Sequence, residues 1–154
     1  MAEDQSVGGS SELISAPTQL SLPLPYAPSI RIHLHLTVQR TNTVLFLTTS
    51  ETDAAPTSCP LGSFVYAIPN RNPSSPPLTT PLYSQTRTLD LATRMASTIA
   101  RKTGKPAYVG NSMSFAGAGR GGDADEEIAG FKRIVDVVMA EIEKSDAAKM
   151  VNGT

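Results

Sequence analysis

Two short stretches, Thr43 to Thr49 (TVLFLTT) and Ser63 to Ile68 (SFVYAI), are apolar on both parities. Val44 and Phe46 oppose Leu45 and Leu47 in the first; Phe64, Tyr66 and Ile68 oppose Val65 and Ala67 in the second. Successive side chains of a strand point to opposite sheet faces, so strands of this kind need cover on both sides. They read as adjacent central strands. Only two amphipathic helices are legible in the chain, and both fit on one face of an antiparallel sheet. The other face is left apolar, which predicts a partner, in the form of a second sheet about 10 Å away.

The remaining strands are shorter on apolar residues or clearly one-sided. Ile30 to Gln39 alternates strictly, with Ile30, Ile32, Leu34, Leu36 and Val38 on one side and Arg31, His33, His35, Thr37 and Gln39 on the other. A tight turn at Arg40 to Asn42 leads into Thr43. Gln19 to Leu24 also alternates but carries Pro23 and is followed by Pro25; prolines cannot donate to a ladder, so this strand belongs at a sheet edge. The loop 50–62 and the run Pro69 to Pro77 are rich in Pro, Ser, Thr and Asn and read as connectors. Leu78 to Ser84 is a further strand weakened by Pro81.

Thr88 to Ser114 carries the clearest local punctuation. Thr88 is placed to cap a helix whose inner face is Leu89, Ala92, Met95, Ala96 and Ile99. Arg101, Lys102 and Lys105 suit the negative end of its dipole, Gly104 suits a left-handed cap, and Pro106 stops the helix. Ala107 to Val109 follows as a strand. Gly-rich residues 116–122 then link to a second helix with Asp123, Asp125, Glu126 and Glu127 at its start and a seam of Ile128, Phe131, Val135, Val138 and Ile142. The fold class is therefore α+β: a largely antiparallel five- to six-stranded sheet with two helices on one face and the other face packing on a partner chain. Residues 1–17 read as a disordered tail, 18–145 as one domain and 146–154 as a fraying end.

The charge balance excludes several classes of function. Thirteen basic and 14 acidic residues give a net charge of −1, which favours neither a polyanion nor an acidic membrane surface. No apolar run approaches the ~18 residues of a membrane span, and MAEDQSVGGSS does not read as a secretory signal. The chain is expected to be soluble and intracellular. Its single cysteine, Cys59, cannot form an internal disulfide, in keeping with a reducing compartment.

Candidate chemistry is sparse. Gly117, Gly119 and Gly122 match the spacing of a dinucleotide loop, but no βαβ unit surrounds them and the acidic group after them would repel a phosphate. They read as a linker. His33 and His35 share a strand face, yet no third metal ligand lies nearby. Cys59 sits in TSCPLG with no activating group in sequence. No catalytic residue, metal or cofactor is expected. Arg101, Lys102 and Lys105 remain as a small basic cluster that either solvates the helix end or meets an acidic partner surface.

The wording LATRMASTIARKTGKPAYVGNSM, preceded by VLFLTT and SFVYAIP and followed by an amphipathic helix, resembles the fourth proteasome assembly chaperone family. The likeness is best over residues 86–113, and its most specific element is Ala100-Arg101-Lys102-Thr103 with Lys105. The longer tail and the segments 69–77 and 116–122 differ from animal members and resemble a fungal-type version. The resemblance implies a non-enzymatic chaperone of the cytoplasm and nucleus. It implies pairing with a sister chaperone as a heterodimer that binds α-type subunits and promotes α-ring assembly of the proteasome core particle. Contact residues are chosen from periodicity. One parity of Val44, Leu45, Phe46, Leu47, Phe64, Val65 and Tyr66 faces the sister, and Arg101, Lys102 and Lys105 face an α subunit. A profilin- or roadblock-type adaptor in trafficking or signalling fits the same order of elements.

Overall fold

The computed structural model describes residues 16–51, 60–115 and 124–151. The first fifteen residues of the expected tail, Cys59 and the glycine run 116–122 lie outside this set. Six strands form one sheet: β1 (Thr18–Pro23), β2 (Ile30–Val38), β3 (Thr43–Glu51), β4 (Ser63–Ile68), β5 (Leu78–Tyr83) and β6 (Ala107–Asn111). Helix α1 (Thr86–Thr103) precedes β6, and α2 (Ala124–Val151) follows it. The expected α+β class is the one observed.

The strand order is β1-β2-β3-β6-β4-β5, antiparallel throughout except where β6 runs parallel to β3. The expectation that β3 and β4 are neighbours is therefore corrected: β6 lies between them. After the β4–β5 hairpin, α1 carries the chain back across the sheet and inserts β6 in the middle, where both of its edges are paired. The two proline-bearing strands, β1 and β5, take the two edges, where a missing N–H leaves no neighbouring acceptor unpaired.

One core lies between the sheet and the helices. Ile30, Ile32, Leu34, Leu36 and Val38 of β2 are all buried, as are Leu45 and Leu47 of β3, Val109 of β6, and Val65 and Ala67 of β4. Against them α1 sets Leu91, Ala92, Met95, Ala96 and Ile99, and α2 sets Ile134, Val135, Val138 and Ile142. The α2 seam differs from the expected one. Ile128 is 62% exposed and Ile134 takes the core position, so the buried stripe runs from Glu126 and Gly130 through Ile134 and Val138 to Ile142 in steps of four. The helix also continues to Val151, past the point where small polar residues suggest fraying.

Helix α1 begins at Thr86 with Gln85 as its cap, and no side chain caps it. Thr88, expected to cap, is instead buried in the first turn, its Oγ1 2.8 Å from Ser63 Oγ. Ser63 Oγ accepts the Gln85 N–H at 2.9 Å, and Asn111 Nδ2 donates to the Thr88 carbonyl at 3.1 Å. Ser63 and Asn111 are register partners on β4 and β6, so a buried polar group on two strands fixes where the helix starts. At the other end Gly104 (φ 66°) takes the left-handed cap and donates to the Ala100 carbonyl at 2.9 Å, as the sequence predicts.

Candidate partner-binding face

Strand parity and register together compose the face that the helices leave open. Leu45 pairs with Val109 and Val109 with Val65, all three turned into the core. The alternate positions must then point the other way. Val44 pairs with Tyr108 and Tyr108 with Tyr66; one step along, Phe46 pairs with Gly110 and Gly110 with Phe64. The same face continues to the β5 edge, where Ile68 opposes Leu78 and Phe64 opposes Tyr83.

The aromatic rings on this face form a ladder across the central strands. Phe46 and Phe64 stack at 5.9 Å and 8°, Phe64 and Tyr108 at 6.1 Å and 23°, and Tyr66 and Tyr108 at 4.5 Å and 27°. Gly110 makes the first stack possible, since a Cβ there would come within 2.5 Å of Phe46 Cδ1. With no side chain on β6 at that level, the two phenylalanines of strands that are not neighbours close over the glycine and touch. Desolvation against the sheet, and then the adjoining Tyr108 phenol, hold the Tyr66 hydroxyl above the ordinary 10.0, so Tyr66 is neutral at physiological pH. The face is not sealed from solvent: Phe46 is 38% exposed and the other three rings are half-buried, while Ile68 and Leu78 at its edge are 41% and 65% exposed.

Beside the ladder, β1, β2 and β3 border a groove of about 410 Å³. His33 and His35 line it, with Phe46, Thr48, Leu61 and Ser112. His33 Nε2 lies 2.6 Å from Ser50 Oγ, and the His35 ring is tilted 58° against Phe46 with centroids 6.3 Å apart. Arg31, two residues before His33 on the same face, donates from Nε to Ser21 Oγ at 2.7 Å and from Nη2 to the Ser21 carbonyl at 3.1 Å.

The family model of proteasome assembly chaperone 4 matches residues 31–113, more than half of the 154-residue chain. The chain belongs to the proteasome assembly chaperone 4 family. The matched span runs from β2 through β6 and so contains the whole aromatic ladder of this family member. A solved structure of a chaperone complex for yeast 20S proteasome assembly contains a similar chain. The two are 20% identical, with 82% of this chain and 98% of that chain covered and a TM-score of 0.54, a likeness of fold. No curated protein sequence matches.

The structure divides the residues chosen from periodicity in this family member. Val44, Phe46, Phe64 and Tyr66 stand on the open face. Leu45, Leu47 and Val65 are at most 2% exposed beneath the chain's own helices, and leave the set of candidate partner contacts. Tyr108, Gly110 and Leu78 join it. Nothing in the sequence marks Tyr108 as their neighbour, because that depends on β6 entering the middle of the sheet. The cationic cluster is also divided. Arg101 and Lys102 are exposed at the end of α1, whereas Lys105 pairs with Asp146 of α2 at 3.6 Å. His33 and His35 do share a face, and among the described residues no group of three metal-ligating side chains occurs.

Proposed function

We propose that this chain is a non-enzymatic assembly chaperone that pairs with a related sister chaperone through its open sheet face. As a heterodimer in the cytoplasm and nucleus, it binds α-type subunits of the proteasome core particle and promotes assembly of the α-ring. The observation that carries the reading is the stacked, half-buried ladder from Phe46 to Tyr66 on the face opposite the helices, in a chain of this family. An apolar sheet face left uncovered is a liability for a monomer and a resource for a sheet-on-sheet contact, in which inner-face side chains interdigitate. Aromatic anchors on a rigid sheet hold such a contact at low entropic cost. Arg101 and Lys102 lie outside that face, so an α subunit can meet them while the sister is bound.

Co-expression with the sister chaperone tests this directly. The chain alone is expected to self-associate or aggregate, and the pair to elute as a soluble one-to-one complex that captures α-type subunits from extract. A stable monomer at micromolar concentration with no α-subunit capture would overturn the proposal; capture of membrane-trafficking complexes instead would favour an adaptor.

A further inference from the structure

Strand register brings several distant segments to one end of the sheet. Val38 pairs with Thr43, Thr43 with Ala107 and Ala107 with Ala67, so the ends of β2 and β4 lie level with the starts of β3 and β6. The hairpin 39–42, the connector 69–77 and the turn 104–106 out of α1 therefore all project from this end. Arg40 stands on the hairpin, Arg71 on the connector, and Arg101 and Lys102 in the last turn of α1. All four are exposed, and among the described residues none of them has an ion-pair partner. The carboxylates late in α2 are mostly engaged. Asp146 pairs with Lys105 at 3.6 Å and Glu141 with Lys144 at 3.1 Å, and Glu143 is the remaining acid on that part of the helix. Lys149, whose Nζ donates to the Val38 carbonyl at 3.3 Å, brings a further cation to this end.

The dipole of α1 accounts for Arg101 and Lys102 at its C-terminus, but not for Arg40 and Arg71, which lie on no helix. Arg71 also stands on a braced support, since Asn70 Oδ1 accepts the Asn72 N–H and Asn72 Oδ1 accepts the Ser74 N–H, both at 3.1 Å. Like charges gathered without counter-charges repel one another, and an anionic surface laid against them relieves that repulsion. We propose that Arg40, Arg71, Arg101 and Lys102 form one docking surface for a carboxylate-rich protein segment, supplied by the α-type subunit. This rests on the reading of the chain as an α-subunit chaperone and names the chemistry of that contact. Charge complementarity selects the occupant. A net charge of −1 gives the whole chain no attraction for an acidic partner, whereas this end presents unpaired cations from three separate segments. Three of the four are guanidiniums, which fork onto carboxylates through paired N–H donors. The surface stands at the strand ends and not on the ladder, so the sister chaperone does not compete for it.

The test is fluorescence anisotropy of a short labelled peptide of glutamate and aspartate, titrated with the co-expressed heterodimer. Binding is expected to weaken at least about tenfold in Arg40→Glu/Arg71→Glu and to fall with added salt. Arg87→Glu/Arg133→Glu makes the same change in net charge away from this end, and is expected to stay within about twofold of wild type. No binding of the peptide, or equal losses in the two double variants, overturns the inference. So does tighter binding of a single-stranded RNA of equal charge, which would make the surface one for nucleic acid. If the double reversal fails to fold, Arg40→Ala and Arg71→Ala, each expected to cost about threefold, decide in its place. The chain's own Glu3, Asp4 and Glu12 lie outside the described residues and are tested by Glu3→Gln/Asp4→Asn/Glu12→Gln. An unchanged affinity supports an external partner, and a gain of about tenfold overturns it in favour of the chain's own N-terminal acids. Capture of α-type subunits from extract separates this inference from the reading beneath it. Capture undiminished in Arg40→Glu/Arg71→Glu overturns the docking surface and keeps the reading, whereas peptide binding without any α-subunit capture overturns the reading and keeps the surface.

Discussion

Gly110 and Gly62 show how one atom decides what a surface presents. At Gly110 a methyl group would meet the rim of the Phe46 ring, which is the far end of a flexible side chain and can swing away. Gly110→Ala is therefore expected to keep its circular dichroism and thermal midpoint nearly unchanged while weakening the heterodimer about tenfold, measured by dilution of the complex. Gly62 is different. It has φ 69° in the segment entering β4, and a Cβ there would run into the Asn111 carbonyl, which is backbone and cannot give way. Gly62→Ala is expected to destabilise the chain by roughly 2–4 kcal/mol, read from thermal unfolding of the co-expressed complex. Neither role is legible in the sequence. A glycine inside a strand signals a bulge or a close approach, and only the fold says what approaches.

Between elements, polar tethers set the position of each helix on the sheet. The start of α1 is held by Ser63, Thr88 and Asn111, buried among apolar neighbours. Asn111 also accepts the Met113 N–H at 3.0 Å, so Asn111→Leu leaves that donor buried without a partner. Its expected cost is about 2 kcal/mol in a denaturant titration of the complex. The tie between the helices is weaker. Arg94 pairs with Asp90 at 2.9 Å and with Glu127 at 2.7 Å, and lies 5.3 Å over the Phe131 ring, but all three charged groups are substantially exposed. Arg94→Ala is expected to cost no more than about 1 kcal/mol, because solvent screens such pairs. The helix at 86–103 was legible from its apolar spacing and its Gly-Lys-Pro stop, whereas its start was misplaced. A threonine followed by an apolar period looks like a cap, and the contact that makes Thr88 a buried staple comes from strands far away in sequence.

For the whole molecule, the proposed function assigns separable tasks to two surfaces. On the proposed reading the ladder face docks the sister, and a stable contact of that kind buries some 1,200–2,000 Å² in total. Replacing Phe46, Phe64 and Tyr66 together by Ser is expected to yield a soluble monomer that no longer binds the sister, measured by light scattering on a sizing column. Arg101→Ala/Lys102→Ala is expected to leave the heterodimer intact and to reduce α-subunit capture several-fold in a pull-down, consistent with rim charges acting on encounter and orientation. Lys105, the third residue of that cluster, also pairs with Asp146 of α2 at 3.6 Å.

Legible in the chain alone are the kind of each element, the buried side of β2, the edge position of β1, and the surplus of apolar face; the edge position of β5 came with the fold. The former properties are local. Period two or 3.6 and the missing proline N–H are legible in any short window of residues. Only the tertiary structure decided that β6 separates β3 from β4, which parity of those strands belongs to the core, and that Ile134 rather than Ile128 anchors α2. When both parities of a strand are apolar, its period is the same viewed from either face. The choice then falls to long-range pairing and to where the helices land.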